Sequence, residues 1–258
     1  MPHPRHRFDR FLDLLTATAA ERDDIVGLAA MGSTADRSRV DEWSDHDFAL
    51  VTVPGAEDGY RHDLSWLPAA ESIAASVVEH HGGVKAIYDD GHVLEFGVTD
   101  LAGLEGWAGN AVDVLVDKGG LGEAIDRMLS RPLPSGPRDD RAEATLVLTQ
   151  VLIGMGRYRR GEVLSAGESI RSEAVEHLLR VLGNRLPGDT ARLDTLDPRR
   201  RFELVHPALG ARIAEALSGD LESGAQELLR VTEEQLAPGW DEFPHRGLAA
   251  VRARLGWG

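Results

Sequence analysis

The sequence predicts an α+β protein whose first half mixes strands with helices and whose second half is a helical bundle. Short apolar runs bounded by turn residues alternate with amphipathic segments up to about residue 130. The stretch RPLPSGP at 131–137 follows, and its three prolines cannot continue a helix. Almost every later segment has helical apolar spacing. We therefore expect a first domain over residues 1–130, a linker over 131–140 and a helical domain over 141–258.

The first domain is predicted to begin with an amphipathic helix over residues 8–22. Phe8, Leu12 and Leu15 recur there at the spacing that places apolar side chains on one helix face. The runs 25–31 and 48–53 are short, partly β-branched and bounded by turn residues. These features are typical of two strands joined by an irregular connection.

The rest of the first domain is predicted to contain a β-hairpin over residues 84–98. Its turn is an Asp-Gly sequence flanked by strand-forming residues. A further strand at 114–117 leads through a Gly pair into a helix at 121–129. In the second domain, helices are expected over 139–160, 163–185, 207–218 and 220–236.

Composition limits the classes of protein to which the chain can belong. The 258 residues include no cysteine, which excludes disulfides and thiolate metal sites. The net charge of −15 argues against a nucleic-acid partner, because phosphate backbones require a basic surface. No run of about 20 apolar residues is present, so no membrane partner is expected. The N-terminal residues lack the apolar core of a signal peptide, and we expect a cytoplasmic protein.

The most informative stretch runs from the first predicted strand to the second. Gly32 and Ser33 end the first strand, where a glycine lets a phosphate approach the backbone and a following helix directs its amides at that phosphate. Asp45 and Asp47 open the second strand. Carboxylates at i and i+2 of an extended chain point to the same side, so the two supply hard oxygen ligands for Mg²⁺. The pattern predicts a nucleotide site.

One further carboxylate stands on the second arm of the predicted hairpin. Strand alternation puts Val93, Glu95 and Gly97 on one face, and the flanking Leu94 and Phe96 on the other. Glu95 is therefore a single acidic side chain among residues suited to burial, which indicates a functional role.

Strand, Gly-Ser, spacer and Asp-x-Asp on the next strand together resemble the signature of the polymerase-β-like nucleotidyltransferase superfamily. Within it, the chain length, the helical second half and the sequence Trp43-Ser44-Asp45-His46-Asp47 are similar to antibiotic nucleotidyltransferases that modify aminoglycosides or lincosamides. Many members carry Ala-Arg-Gly soon after the serine, whereas this chain has Ala35-Asp36-Arg37. The resemblance covers the first half well and the second half in outline. It implies a mixed twisted sheet flanked by helices in the nucleotidyltransferase domain, followed by a helical substrate-binding domain.

The resemblance also implies roles for individual residues. Asp45, Asp47 and Glu95 would form the metal site, and Gly32 and Ser33 would bind the nucleotide. Glu95 has two roles that stay open, because relatives use a carboxylate near this position either as a metal ligand or as the base toward the acceptor hydroxyl. The implied reaction transfers AMP from ATP to an alcohol, with Mg²⁺ as cofactor and pyrophosphate as the second product.

Lys118 is a further candidate for nucleotide binding. It is one of two lysines in the chain, and it stands at a predicted strand end before a Gly pair and a helix. Strand-to-helix turns are common anion sites, so Lys118 is predicted to neutralise the triphosphate. A surface turn lysine is the alternative.

The expected acceptor is a small molecule, and the acidic balance favours a cation such as an aminoglycoside or a lincosamide. Two other functions stay open, namely an antitoxin-type protein adenylyltransferase and a non-catalytic nucleotide-binding relative. Related antibiotic-modifying enzymes include dimers and monomers, so a homodimer also stays open.

Overall fold

A computed structural model describes residues 4–109, 111–131 and 139–257 of the chain. The contacts divide the chain into two compact units, Met1–Leu133 and Pro134–Gly258. Residues 132–138 of the expected linker lie outside the described residues. The first unit combines a sheet with helices and the second is helical, so the predicted α+β class is confirmed.

The first unit is built on a six-stranded mixed sheet in the order β3-β4-β5-β2-β1-β6. Strands β2 and β5 run parallel, and the other neighbouring pairs are antiparallel. The strands are β1 (Ile25–Met31), β2 (His46–Thr52), β3 (Ile73–Val78), β4 (Gly83–Tyr88), β5 (Val93–Thr99) and β6 (Val112–Asp117). The helices of this unit are α1 (Pro4–Glu21), α2 (Gly32–Ala35), α3 (Glu57–His62), α4 (Leu101–Leu104) and α5 (Leu121–Ser130).

Each face of the sheet has its own apolar cluster. On one face, α1 packs Leu12 and Leu15 against strand residues that include Phe48 and Phe96, whose rings stack with centroids 4.7 Å apart. On the other face, α4 and α5 cover the small side chains of the central strands. Strand alternation places Asp47 on the face opposite Phe48, which is the face that α4 and α5 cover. Asp47 lies in a part of that face that the two helices leave open.

The predicted elements of the first unit are largely confirmed. The hairpin is formed by β4 and β5, and β2 begins at His46, two residues before the predicted start. Strand β3 and helix α3 are not predicted from the sequence; in the structure β3 is a mostly exposed strand at the edge of the sheet, and α3 is a short, largely polar helix.

The second unit buries a core of aliphatic side chains between its long helices, including Val147, Val151, Leu178 and Leu228. Its helices are α6 (Asp140–Arg159), α7 (Val163–Gly167), a π-helix (Glu168–Ala174), α8 (Val175–Arg185), α9 (Phe202–Val205), α10 (Pro207–Ser218), α11 (Leu221–Leu236) and α12 (His245–Leu255). The helix predicted over 163–185 is therefore interrupted by a π-helical segment, and α12 is not predicted. No helix in the described ranges of the chain has the length and hydropathy needed to cross a membrane.

Candidate active site

Asp47 and Glu95 are neighbours on the sheet. Strands β2 and β5 are parallel, and their register pairs these two residues directly. Adjacent strands lie about 4.8 Å apart, and paired residues in register present their side chains to the same face. Both side chains line an open cleft of about 460 Å³ on that face. The structure therefore brings together two of the three predicted carboxylates.

Gly32 lies directly against the carboxylate of Asp47. Its backbone is left-handed, with φ of +54°, and a Cβ atom at this position would stand 3.0 Å from Asp47 Oδ2. The Gly32 amide donates to the carbonyl of Ala111 at 3.1 Å, so this N–H is not available to a phosphate. What Gly32 contributes is the turn and the space beside Asp47. Ser33 follows in α2 and is half-buried.

Thr34 fixes the segment that carries both aspartates, and it is not predicted from the sequence. Its fully buried hydroxyl accepts a hydrogen bond from the Asp47 amide at 2.8 Å and donates to the Asp45 carbonyl at 3.4 Å. The connection after β1 is thereby attached to the start of β2. The sequence signal is the threonine that directly follows the Gly-Ser pair.

Asp45 lies one residue before β2 and is placed differently from Asp47. The cleft lining, as far as the described residues form it, does not include Asp45. Its charge instead reaches His92, whose pKa is lowered to about 4 by burial and by Arg7, against a raising effect of Asp45. Within residues 4–109, 111–131 and 139–257, no three His, Cys, Asp or Glu side chains converge into a ready-made metal site.

His46 points away from the two aspartates into the core, as its strand position predicts. It stacks on Phe8 with ring centroids 3.7 Å apart, and its two ring nitrogens bond to the Phe8 carbonyl at 3.0 Å and to His92 at 2.7 Å. Burial, reinforced by the charge of a neighbouring His92, lowers the pKa of His46 to about 3. The imidazole is therefore neutral at pH 7 and belongs to the packing beneath the site.

Lys85 extends the row of charged residues onto a third strand. The register of β4 and β5 pairs it with Glu95, and Lys85 Nζ lies 3.4 Å from Glu95 Oε1 and 3.7 Å from Glu79 Oε1. The carboxylate of Glu95, followed by that of Glu79, raises the pKa of Lys85. The sheet thus carries Asp47, Glu95 and Lys85 side by side on one face.

The structure does not bring Lys118 to this site. In the β1–β6 register Asp117 is level with Gly27, whereas Met31 at the cleft is level with Val112. Lys118 therefore lies at the far end of the strands. Its ammonium donates to the carbonyls of Ala19 at 3.0 Å and Arg22 at 2.5 Å, where it neutralises the negative end of α1. The predicted contact of Lys118 with a triphosphate is corrected to this structural role.

Arg37, at the position where the motif departs from its family, is engaged by a neighbouring helix. Its guanidinium donates to Asp9 on α1 at 2.5 Å. This ion pair joins the loop after α2 to the first helix.

An aromatic wall closes one side of the cleft. Trp107 lies over Gly97, where a Cβ atom would overlap the six-membered ring of the indole. Gly97 follows Glu95 by two residues and shares its face of β5. Arg61 also lines the cleft and donates to Asp58 at 2.6 Å and to the Val98 carbonyl at 2.5 Å. A glycine in the middle of a strand is a sequence signal for such close approach.

The donor chemistry of the site suits a hard divalent cation. Asp47 and Glu95 are carboxylates on adjacent strands, and Asp45 is held two residues upstream by Thr34. The space at Gly32, which a Cβ atom would fill, adjoins Asp47 Oδ2. Magnesium is commonly held by one or two carboxylates together with substrate phosphates. These residues therefore fit the predicted ion.

No protein-family model matches the chain, and no curated protein sequence matches it. Among solved structures, the chain is similar to a crystal structure of an aminoglycoside 6-adenyltransferase from Bacillus subtilis. The identity is 14% and the TM-score 0.30, with 97% of this chain and 92% of that chain covered. The TM-score is low, and the function proposed below is derived from the side chains of the cleft.

Proposed function

We propose that the protein is a metal-dependent nucleotidyltransferase that moves AMP from ATP to a hydroxyl of a small acceptor. The observation that carries the proposal is the direct pairing of Asp47 with Glu95 on parallel strands, beside the turn at Gly32. The sequence pattern predicts that both residues are functional but does not predict that their strands are neighbours. The pairing is therefore independent support for the proposal.

The proposed reaction forms a bond between the acceptor oxygen and the α-phosphorus of ATP. The bond from that phosphorus to the bridging oxygen breaks, and pyrophosphate leaves with its electron pair. Glu95 takes the proton of the acceptor hydroxyl or serves with Asp45 and Asp47 as a metal ligand. Bound Mg²⁺ would neutralise phosphate charge. Such reactions depend mainly on positioning and charge neutralisation, and paired carboxylates on a rigid sheet suit both.

The charge of the chain supports a cationic acceptor. The net charge of −15 repels nucleic acid and attracts polycations such as aminoglycosides, or a lincosamide amine.

A non-catalytic nucleotide-binding protein is the second candidate, and one contact favours it. Lys85 forms an ion pair with Glu95, so a protein cation already stands beside this carboxylate. In such a protein the nucleotide would bind without transfer.

The proposal is tested by incubating the protein with Mg²⁺, labelled ATP and a panel of aminoglycosides and lincosamides. Mass spectrometry of the small molecules should show the gain of one nucleoside monophosphate. Asp47→Asn keeps the size of the side chain and should abolish the product while the circular dichroism spectrum is unchanged. Full activity in that variant would contradict the assignment of Asp47. Label on a protein partner would indicate the antitoxin-type alternative, and binding without any labelled product would indicate the second candidate.

A further inference from the structure

Lys85 lies beside Glu95, at the margin of the cleft and outside its described lining, and the proposed transfer of AMP gives it no role. It is one of two lysines in the chain, and the other, Lys118, is held at the end of α1. Lys85 shares one face of the sheet with Glu95 and Asp47, because β4, β5 and β2 are neighbours in register. The candidate carboxylates therefore have a lysine at the end of their row.

The contacts of Lys85 leave it able to change partners. Its ammonium lies 3.4 Å from Glu95 and 3.7 Å from Glu79, and its side chain is 41% exposed. Ion pairs between exposed side chains are weak and are screened by salt. Arg61, by contrast, is committed to Asp58 and to the Val98 carbonyl through shorter hydrogen bonds.

The charge balance of the row changes when a nucleotide arrives. Asp47 and Glu95 repel phosphate oxygens, so triphosphate binding requires positive charge nearby. When Glu95 binds a metal ion or takes up a proton, its negative charge is partly or fully neutralised, and its attraction for the Lys85 ammonium weakens. The phosphate oxygens of a nucleotide bound beside Asp47 and Glu95 would then supply the negative charge that Lys85 contacts. An ammonium is a common phosphate-binding group.

Resting on the proposed function, we infer that Lys85 is a nucleotide-binding residue that exchanges its contact with Glu95 for the phosphates of ATP. The exchange is a change of ion-pair partner without a covalent step. It assigns to Lys85 the role that the sequence predicted for Lys118.

The presence of only two lysines makes a direct test feasible. The protein is treated with an amine-acylating reagent with and without ATP, in the presence of Mg²⁺ and again in EDTA, and the two lysines are quantified by peptide mass spectrometry. We expect ATP to slow acylation of Lys85 and to leave Lys118 unchanged. Acylation of Lys85 that is indifferent to saturating ATP would overturn the inference.

Matched variants provide a second measurement. Lys85→Met should weaken binding of labelled ATP in equilibrium dialysis by about tenfold or more, as loss of a charge-assisted hydrogen bond predicts. Lys85→Arg should retain most of the affinity. Lys118→Met serves as the control and should lower the melting temperature without changing ATP affinity.

The outcomes distinguish a failure of the role of Lys85 from a failure of the proposed function. Equal ATP affinity in wild type and Lys85→Met overturns the role of Lys85 and leaves the proposed function standing. A wild-type protein that binds no ATP overturns both. If Lys85→Met fails to fold, the acylation of the wild-type protein decides the question.

Discussion

Replacing Gly32 with alanine tests whether the turn after β1 sets the position of the Asp47 carboxylate. The residue has φ of +54°, and its new methyl group would stand 3.0 Å from Asp47 Oδ2. The substitution therefore changes two things, the strain in the backbone and the space available to the carboxylate.

The two effects have different magnitudes and different readouts. A left-handed backbone costs an L-residue about 1–2 kcal/mol, which should appear as a loss in the free energy of unfolding. The contact with Oδ2 is tighter than nine in ten ordinary Cβ contacts, so the carboxylate must move by a few tenths of an ångström. Small displacements of a positioned group are costly in catalysis, and we expect turnover to fall by about tenfold to a hundredfold.

The assay pairs urea unfolding with nucleotide transfer, and Gly55→Ala is the control. Gly55 also has a positive φ, of +92°, but a Cβ atom there would meet no atom within 4 Å. Both variants should lose stability, and only Gly32→Ala should lose transfer. Unchanged turnover in Gly32→Ala, or an equal loss in both variants, would refute the argument that Gly32 keeps space for Asp47.

Three further predictions concern the base, the buried imidazole and the aromatic wall. Glu95→Gln should lower kcat far more than ATP affinity if Glu95 is the base, whereas equal losses would place it among the metal ligands. The pKa of His46 is about 3 in the folded protein, compared with 6.5 for an ordinary histidine, so as pH falls the unfolded chain is protonated at His46 before the folded protein. The stability that neutral His46 contributes is therefore fully present above pH 6.5 and is lost as pH falls toward 3, at about 1.4 kcal/mol per pH unit in urea unfolding. His92, whose pKa is also lowered, adds a slope of its own. His46→Phe should therefore lose stability less steeply than the wild type as pH falls, and an unchanged slope would contradict the assignment. Gly97→Val should displace Trp107 at a cost of about 1–3 kcal/mol, seen as an altered tryptophan fluorescence spectrum, and an unaltered spectrum would argue against the close packing.

Strand alternation predicted much of the site because it is a local property. It placed Glu95 on the face opposite Leu94 and Phe96, and the structure agrees. The pairing of Asp47 with Glu95 was beyond the sequence, because it depends on β5 lying parallel to β2, and a long connection separates the two strands.

The error over Lys118 has a similar physical origin. The local signal, a lysine at a strand end before two glycines, predicts a strand-to-helix turn, and the structure has that turn between β6 and α5. Whether that turn lies at the active end of the sheet depends on the direction of β6, which is antiparallel to β1. The pairing of Lys85 with Glu95 depends on the loop length of the hairpin, because a two-residue Asp-Gly turn would pair Lys85 with Phe96, whereas the structure has a three-residue loop over 89–91.

The wall of the cleft is also non-local. Gly97 signalled that something approaches β5 closely, but the partner, Trp107, follows α4 in a loop with no periodic pattern. The sequence therefore predicts a close approach at Gly97 but does not predict that Trp107 makes it.

The proposed function requires Asp47 and Glu95 to hold the metal of a nucleotide together. It is tested most directly by crystals grown with Mn²⁺ and a non-hydrolysable ATP analogue, with anomalous scattering used to locate the metal. We expect an anomalous peak within about 2.5 Å of carboxylate oxygens of both residues, with the analogue's phosphates beside it. A nucleotide bound elsewhere, or a peak that touches neither carboxylate, would contradict the claim.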